Sequence, residues 1–185
     1  QTIALELTSV SDIDILSWDQ VALDWKEKIS AGIATSDYPN SLIFPHTVES
    51  LTETIKIVNQ NQKKVLVCGN ASKLSWGKLI DPVDFVISTQ KLNGIIDHAV
   101  DDLTVTVESG VKLVDLQSFL AKEKQFLPVD PSYPQTATIG GIIATADTRS
   151  WRQYYGSIRD FVLGISFVRA DGAIAKGGGR VVKNV

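Results

Sequence analysis

The sequence has a single cysteine and no methionine among its 185 residues. Its apolar runs all fall far short of the about 20 residues that a membrane-spanning helix needs. One cysteine, Cys68, cannot form an internal disulfide, nor hold a zinc ion or an iron–sulfur cluster by itself. No secretory signal is recognisable near the N-terminus. These absences predict a protein without a membrane span or a metal centre of its own, located in the reducing cytoplasm.

The composition is that of a folded protein, with 44% hydrophobic and 21% charged residues. The net charge of -3 conceals an asymmetry, because seven basic residues stand against two acidic ones from Arg149 onward. This excess favours an anionic partner for the C-terminal part. No nucleic-acid-binding module is recognisable, so nucleic acid is not predicted as that partner. Since the chain begins at Gln1 and ends at Val185 without a turn signal, we expect a fragment of a longer protein.

The first half of the chain shows alternating helix and strand patterns. The first forty residues lack a sustained period, and we predict an N-terminal extension over residues 1–40 with one short helix near residues 19–29. Thr47 can cap a helix that ends near Asn61, because apolar residues recur at helical spacing after it. Short buried strands are predicted at residues 65–67 and 84–88. The domain proper is predicted over residues 41–185.

The second half changes to a period of two, which is typical of half-buried antiparallel strands. Residues 95–96 and 103–107 predict a hairpin, and Leu113, Leu116 and Leu120 then mark one face of a helix. A second hairpin is predicted over residues 161–176 around Asp171-Gly172. We expect residues 65–67 and 85–87 to share one small sheet, and residues 103–108 and 161–168 to share another. The fold class is α+β: a small α/β subdomain plus a larger, mainly antiparallel α+β subdomain.

A segment rich in small residues follows the first of these buried strands. Backbone N–H groups in such a segment can approach a bound oxyanion closely, which favours an anion-binding nest. The segment matches neither G-x-G-x-x-G nor a P-loop. An ordinary strand-to-loop turn is about as compatible with the segment as phosphate binding. The candidate residues are Gly69, Asn70, Ala71, Ser72, Lys73, Leu74 and Ser75.

A second glycine-bearing segment spans residues 131–160. Paired glycines followed by small side chains open a surface on which a flat ligand or a pyrophosphate can lie against the main chain. Taken alone, Gly140-Gly141 is more typical of packing between a helix and a sheet. The candidate residues here are Pro131, Thr138, Ile139, Gly140, Gly141, Ala144, Thr145, Tyr155 and Gly156.

Read together, the two segments resemble the FAD-binding domain of the vanillyl-alcohol oxidase and p-cresol methylhydroxylase (PCMH) type. Within that superfamily the chain is similar to the FAD-binding E subunits of bacterial glycolate oxidase complexes. The resemblance runs from about residue 45 to residue 185. It rests on residues 69–77, 103–110, 125–131, 137–147, 155–160 and 166–185.

The resemblance implies that residues 69–75 wrap the FAD pyrophosphate, and that residues 138–141 and the small residues after them line the cofactor. It also implies a chain truncated before the cap domain, and thus a fragment that is inactive alone. Neither His46 nor His98 lies in the phosphate loop, where members with covalent flavin often carry a histidine, so noncovalent FAD is expected. The chain departs from the family at Arg149, where glycine is usual.

The implied activity is oxidation of a 2-hydroxy acid such as glycolate by a flavin-dependent oxidoreductase. Electrons would pass to a partner, and the resemblance implies partner subunits carrying flavin and iron–sulfur clusters. A different class of function is also open, namely a noncatalytic FAD-holding or assembly subunit of a flavoenzyme complex. No general base can be named from these residues, so the catalytic residues stay unassigned.

Overall fold

The computed structural model describes residues 2–34 and 37–179. The chain divides into two compact units: unit 1 comprises residues 1–91 and 168–174, and unit 2 comprises residues 92–167 and 175–185. The helices are α1 Thr2–Thr8, α2 Leu23–Ser30, α3 Val48–Gln60, α4 Leu113–Leu120, α5 Ile139–Thr145, α6 Arg152–Tyr155 and α7 Ile158–Phe161. The strands are β1 Ile13–Ser17, β2 Ser41–Pro45, β3 Val65–Cys68, β4 Phe85–Ser88, β5 Ile95–Ala99, β6 Thr104–Val107, β7 Gly164–Val168 and β8 Ile174–Gly178.

Unit 1 contains a four-stranded mixed sheet in the order β1-β2-β4-β3. Strand β4 pairs in parallel with both β2 and β3, whereas β1 runs antiparallel to β2 at the edge. Every residue of β4 is buried, as expected for a central strand covered on both faces. The sheet therefore brings the carboxyl ends of β3 and β4 to the same edge, where the chain leaves β3 for the first candidate segment.

Each face of this sheet packs against helices. Leu42 and Val86 lie in a cluster with Trp25 and Ile29 of α2. The neighbouring side chains on the opposite face join Leu7 of α1 and residues of α3 in a second cluster. The start of α3 is capped as its sequence predicts, because the Thr47 hydroxyl accepts from the Ser50 backbone N–H at 3.0 Å. Unit 1 is thus a helix–sheet–helix sandwich.

Unit 2 is built on two hairpins and short helices. Strands β5 and β6 pair antiparallel with one irregularity after Ile95. The core collects the apolar face of α4 and one side of α5, with Val111, Val129 and Ile158 among its members. The β7–β8 hairpin turns at Gly172, whose φ of 79° suits glycine. That turn is counted with unit 1, where a Cβ on Gly172 would lie 2.9 Å from the Thr52 carbonyl oxygen of α3.

Most of the predicted elements are confirmed. These are the α3 and α4 helices, the β3 and β4 strands in one sheet, and both hairpins. Burial was predicted for both strands and is wrong for β3, where no residue is fully buried and Val67 is 52% exposed. The expectation that residues 103–108 and 161–168 share one sheet is wrong, since β6 pairs with β5 in one two-stranded sheet and β7 with β8 in another. A period of two identifies the faces of a strand and says nothing about its partner, which explains the error.

The first forty residues hold more structure than the single short helix predicted for them. Helix α2 begins at Leu23, close to the expected place, but α1 and β1 were missed. Strand β1 is short and takes its order from pairing with β2. These elements belong to unit 1, which is the α/β unit. This unit was predicted to be the smaller one, but it has the larger share of residues. The domain boundary at residue 40 stays a prediction.

Within the described residues, no helix combines the length and the apolar character that crossing a membrane requires.

Candidate functional site

The first candidate segment leaves β3 as a tight loop in unit 1. Ala71 is buried and takes a left-handed φ of 55°, which turns the chain back on itself. Its backbone N–H donates to the Cys68 thiol, and the Ser88 hydroxyl donates to the Gly69 carbonyl oxygen at 2.8 Å. Residues at the ends of β3 and β4 therefore anchor the loop by hydrogen bonds.

Ser72 is one residue of the loop that is available for a ligand. Among the described residues, Ser72 has neither a backbone nor a side-chain hydrogen-bond partner, and it is half-buried. Leu74 instead packs into the unit 1 core against Gly32. The Lys73 ammonium lies 5.3 Å from the centroid of the Trp76 ring, a cation–π distance. The loop thus presents small side chains and backbone groups to a ligand, whereas the Lys73 ammonium lies near the Trp76 ring.

The second candidate segment begins in unit 2 alongside the end of the β6 hairpin. The N–H of Ile139 donates to the Val111 carbonyl oxygen at 2.8 Å, and that of Gly140 donates to the Ser109 carbonyl oxygen at 2.8 Å. Thr138 caps α5 by accepting from the Gly141 N–H at 3.2 Å. These bonds hold the first turn of α5 in place. None of them uses a side chain on the exposed surface of the helix.

The two glycines of α5 have different surroundings. A Cβ on Gly140 would lie 2.7 Å from Ser109 Cβ and 3.0 Å from its carbonyl oxygen, so this position requires glycine. A Cβ on Gly141 would meet only Thr138 Oγ1, at 3.1 Å. After Gly141, residues 144–146 are exposed, whereas Ile139 and Ile142 face the core. Gly140 therefore packs the helix, and Gly141 with the small residues after it forms an open surface.

The other candidate residues surround that helix in sequence. Pro131 is buried, and the residue after it, Ser132, donates its N–H to the Asp147 carboxylate at 2.8 Å. Tyr155 ends α6, and Gly156 follows with a φ of 94°.

We then compared the chain with known proteins. A family model described as "FAD binding domain" matches residues 39–178. The chain belongs to this family. The chain is 28% identical over 155 residues to glycolate oxidase subunit GlcD of Bacillus subtilis, covering 82% of this chain and 33% of the relative. It is 29% identical over 138 residues to glycolate oxidase subunit GlcE of Escherichia coli, covering 74% of this chain and 39% of the relative.

Relatives named D-lactate dehydrogenase match the FAD binding domain as well. The chain thus spans about a third of the length of such relatives, and the likeness does not single out the glycolate oxidase E subunit. Among solved structures, berberine bridge enzyme from Eschscholzia californica matches with a TM-score of 0.74 at 22% identity, covering 95% of this chain and 37% of that chain. This likeness confirms the predicted α+β fold of the PCMH type.

The residues of the FAD binding domain fit such a cofactor. Ser72 offers a backbone N–H and a hydroxyl without partners among the described residues, which suits an oxyanion, and Gly141 with residues 144–146 offers a surface of small side chains. One further atom indicates a ligand in unit 2: the Thr148 hydroxyl is the one buried side-chain polar atom without a partner in the described part of the chain.

Cys68 is a structural residue of the FAD binding domain. Burial raises the pKa of its thiol to about 12, and the Ala71 backbone hydrogen bond opposes this rise only in part. The thiol is therefore neutral at physiological pH and is a poor nucleophile. The side chain is partly buried and packs against the unit 1 core.

Sequence reasoning missed an aromatic cluster around Tyr155. The ring of Phe126 lies 6.1 Å from Trp151 and 6.0 Å from Tyr155, and the rings of Tyr154 and Tyr155 lie 4.7 Å apart. The spacing of residues 151, 154 and 155 is helical and could have indicated part of the cluster. Phe126 could not have been found, because only the fold brings it there.

An open cleft of about 540 Å³ lies elsewhere in unit 1. Asp14, Trp25, Phe44 and Lys91 are among the residues that line it. None of the predicted cofactor-binding residues lines this cleft, so its size does not mark it as the FAD site.

Proposed function

We propose that the chain is the FAD-binding part of a flavin-dependent oxidoreductase that oxidises a 2-hydroxy acid, glycolate being one candidate, in the cytoplasm. The observation that carries the proposal is the loop of small residues around Ser72. The relatives named glycolate oxidase subunits and D-lactate dehydrogenases support it. Glycolate and lactate are both 2-hydroxy acids, which supports this substrate class over any single member of it.

This proposal assigns FAD contacts to residues of the two candidate segments. The loop over residues 69–75 binds the pyrophosphate mainly through backbone N–H groups. Pro131, Thr138, Ile139, residues 140–141, Ala144, Thr145, Tyr155 and Gly156 line the remainder of the cofactor. Bound FAD supplies the chemistry of accepting a hydride from the substrate, and the chain's own residues hold and orient it.

The flavin is proposed to be noncovalent. The loop over residues 69–75 contains no histidine, cysteine or tyrosine, and the neighbouring Cys68 thiol is partly buried and neutral. His46 lies 2.9 Å from Asp14, and His98 lies 2.9 Å from Gln125, so each ring has a protein partner. Denaturation with acid should therefore release all flavin into the supernatant, and flavin that stays with the polypeptide would contradict this.

The electrons are proposed to leave through a partner subunit with iron–sulfur clusters. The lone Cys68 cannot hold such a cluster, and two of the relatives are themselves named as subunits. Copurification of the native complex, followed by iron and sulfide analysis of each chain, tests this arrangement. Clusters bound to this chain alone would overturn it.

Anaerobic mixing of the native flavoprotein with glycolate or D-lactate should bleach the visible absorption of oxidised flavin. The matched control is acetate, which has a carboxylate but no hydroxyl to oxidise. Bleaching with a 2-hydroxy acid and none with acetate would support the oxidoreductase. If the flavin stays oxidised with every 2-hydroxy acid tested, both with and without partner subunits, the noncatalytic FAD-holding role is the better description.

A further inference from the structure

We propose that Thr148 binds FAD, with its side-chain hydroxyl donating a hydrogen bond to an oxygen of the cofactor. The proposal rests on FAD binding by this domain, and it adds a residue that neither the sequence motifs nor the family pattern indicated.

The hydroxyl itself is the first observation. Thr148 is 2% exposed, and its Oγ1 has no hydrogen-bond partner. No other buried side-chain polar atom in residues 2–34 and 37–179 is in this condition. Native proteins pair nearly all such groups, and an exception calls for an explanation such as a ligand.

The neighbouring threonines make the contrast clear. Thr138 accepts from the Gly141 N–H at 3.2 Å, and Thr145 donates to the Gly141 carbonyl oxygen at 2.8 Å. Both hydroxyls are thus committed to the backbone of α5. Thr148 is the threonine of this region whose hydroxyl stays available to a ligand.

The segment around Thr148 is held firmly, so the missing partner does not come from a loose loop. Before it, Asp147 accepts from the Ser132 N–H at 2.8 Å. After it, Ser150 donates its hydroxyl to the Asp130 carboxylate at 3.2 Å. The two anchors fix the chain on either side of the unpaired hydroxyl.

Backbone strain coincides with this unpaired group. Ala146 has a φ of 51° and Arg149 a φ of 39°, both in the left-handed region that favours glycine. Strained residues concentrate at ligand sites, where binding compensates for their cost. Arg149 is exposed and has no ion-pair partner among the described residues. The proposed FAD surface at residues 144–146 lies directly before this segment in the sequence.

The test is the isosteric change Thr148→Val, with two measurements on the purified protein. Titration of the apoprotein with FAD should show binding about tenfold weaker, consistent with one lost hydrogen bond. The melting temperature of the apoprotein should rise by roughly 2–4 °C, because an unpaired hydroxyl is replaced by a methyl group. Thr148→Ser keeps the hydroxyl and should retain wild-type affinity within about twofold.

Thr54→Val is the matched control. Thr54 is fully buried in α3 of unit 1, and its hydroxyl donates to the Ser50 carbonyl oxygen at 2.7 Å. Loss of this paired hydroxyl should lower the melting temperature of the apoprotein and leave FAD affinity unchanged.

Two results would overturn the proposal. Unchanged FAD affinity in Thr148→Val would mean that the hydroxyl stays unpaired in the complex. A lower melting temperature of its apoprotein would mean that the hydroxyl already has a partner, such as water. Failure of the wild-type apoprotein to bind FAD would instead count against the cofactor assignment itself, so the two failures are distinguishable.

Discussion

Gly140→Val should lower the melting temperature by roughly 6–12 °C, which for a chain of this size corresponds to about 3 kcal/mol. A Cβ at this position would lie 2.7 Å from Ser109 Cβ and 3.0 Å from the Ser109 carbonyl oxygen. Neither atom is the far end of a flexible side chain. The Gly140 N–H also donates to that carbonyl oxygen at 2.8 Å, so the two segments cannot separate without losing the bond. Thermal unfolding followed by circular dichroism measures the effect.

Gly141 provides the matched control for this effect. Both glycines lie in α5, so Gly140→Ala and Gly141→Ala gain the same helix propensity, about 1 kcal/mol. Gly141→Ala should keep or raise the melting temperature, because its Cβ would meet only the Thr138 hydroxyl. Gly140→Ala should lower it. Equal melting temperatures for the two alanine variants would show that contact with Ser109 is not limiting.

Ala71→Phe should weaken FAD binding by more than about a hundredfold, equivalent to roughly 2.7 kcal/mol. Ala71 is 6% exposed and turns the loop through a left-handed φ of 55°. A phenyl ring has no room there, so the loop loses the shape that places the Ser72 donors. Titration of the apoprotein with FAD gives the affinity, and circular dichroism establishes that the variant is folded.

Two variants separate loop shape from loop charge. Ala71→Gly accepts the left-handed conformation without strain and should bind FAD as the wild type does. Lys73→Ala removes a charge that is drawn over the Trp76 ring, and it should cost no more than about tenfold, or ~1.4 kcal/mol. A far larger loss for Lys73→Ala, with near-normal binding by Ala71→Phe, would contradict recognition by the backbone.

Local signals account for the parts of the fold that the sequence predicted. Helix α3 has both its cap at Thr47 and its apolar face within one stretch of sequence, and the β7–β8 turn has its glycine at residue 172. Features that depend on partners distant in sequence were not predictable. The contact of Gly140 with Ser109 arises from the pairing of two such segments, and the burial of Thr148 arises within a fold that also brings Asp147 to Ser132.

The candidate site divides in the same way. The small residues of the two segments indicated where a cofactor binds, because residue size is legible in a sequence. The different roles of Gly140 and Gly141 could not be predicted from the sequence. Both residues are glycine, and they differ only in the atoms that an added Cβ would contact. The sequence likewise does not show that the Thr145 hydroxyl donates to the backbone while the Thr148 hydroxyl has no partner, because hydrogen bonds are seen only in the structure.

The interleaving of the two units limits how this protein can be dissected. Residues 168–174 belong to unit 1, although they follow residues 92–167 of unit 2 in the sequence. Gly172 in this segment lies against Thr52 of α3. A truncation after residue 91 would therefore remove part of unit 1 together with unit 2. Exchange of either unit between homologous genes by a single crossover would likewise cut through the other. The two units therefore need to be expressed and exchanged together.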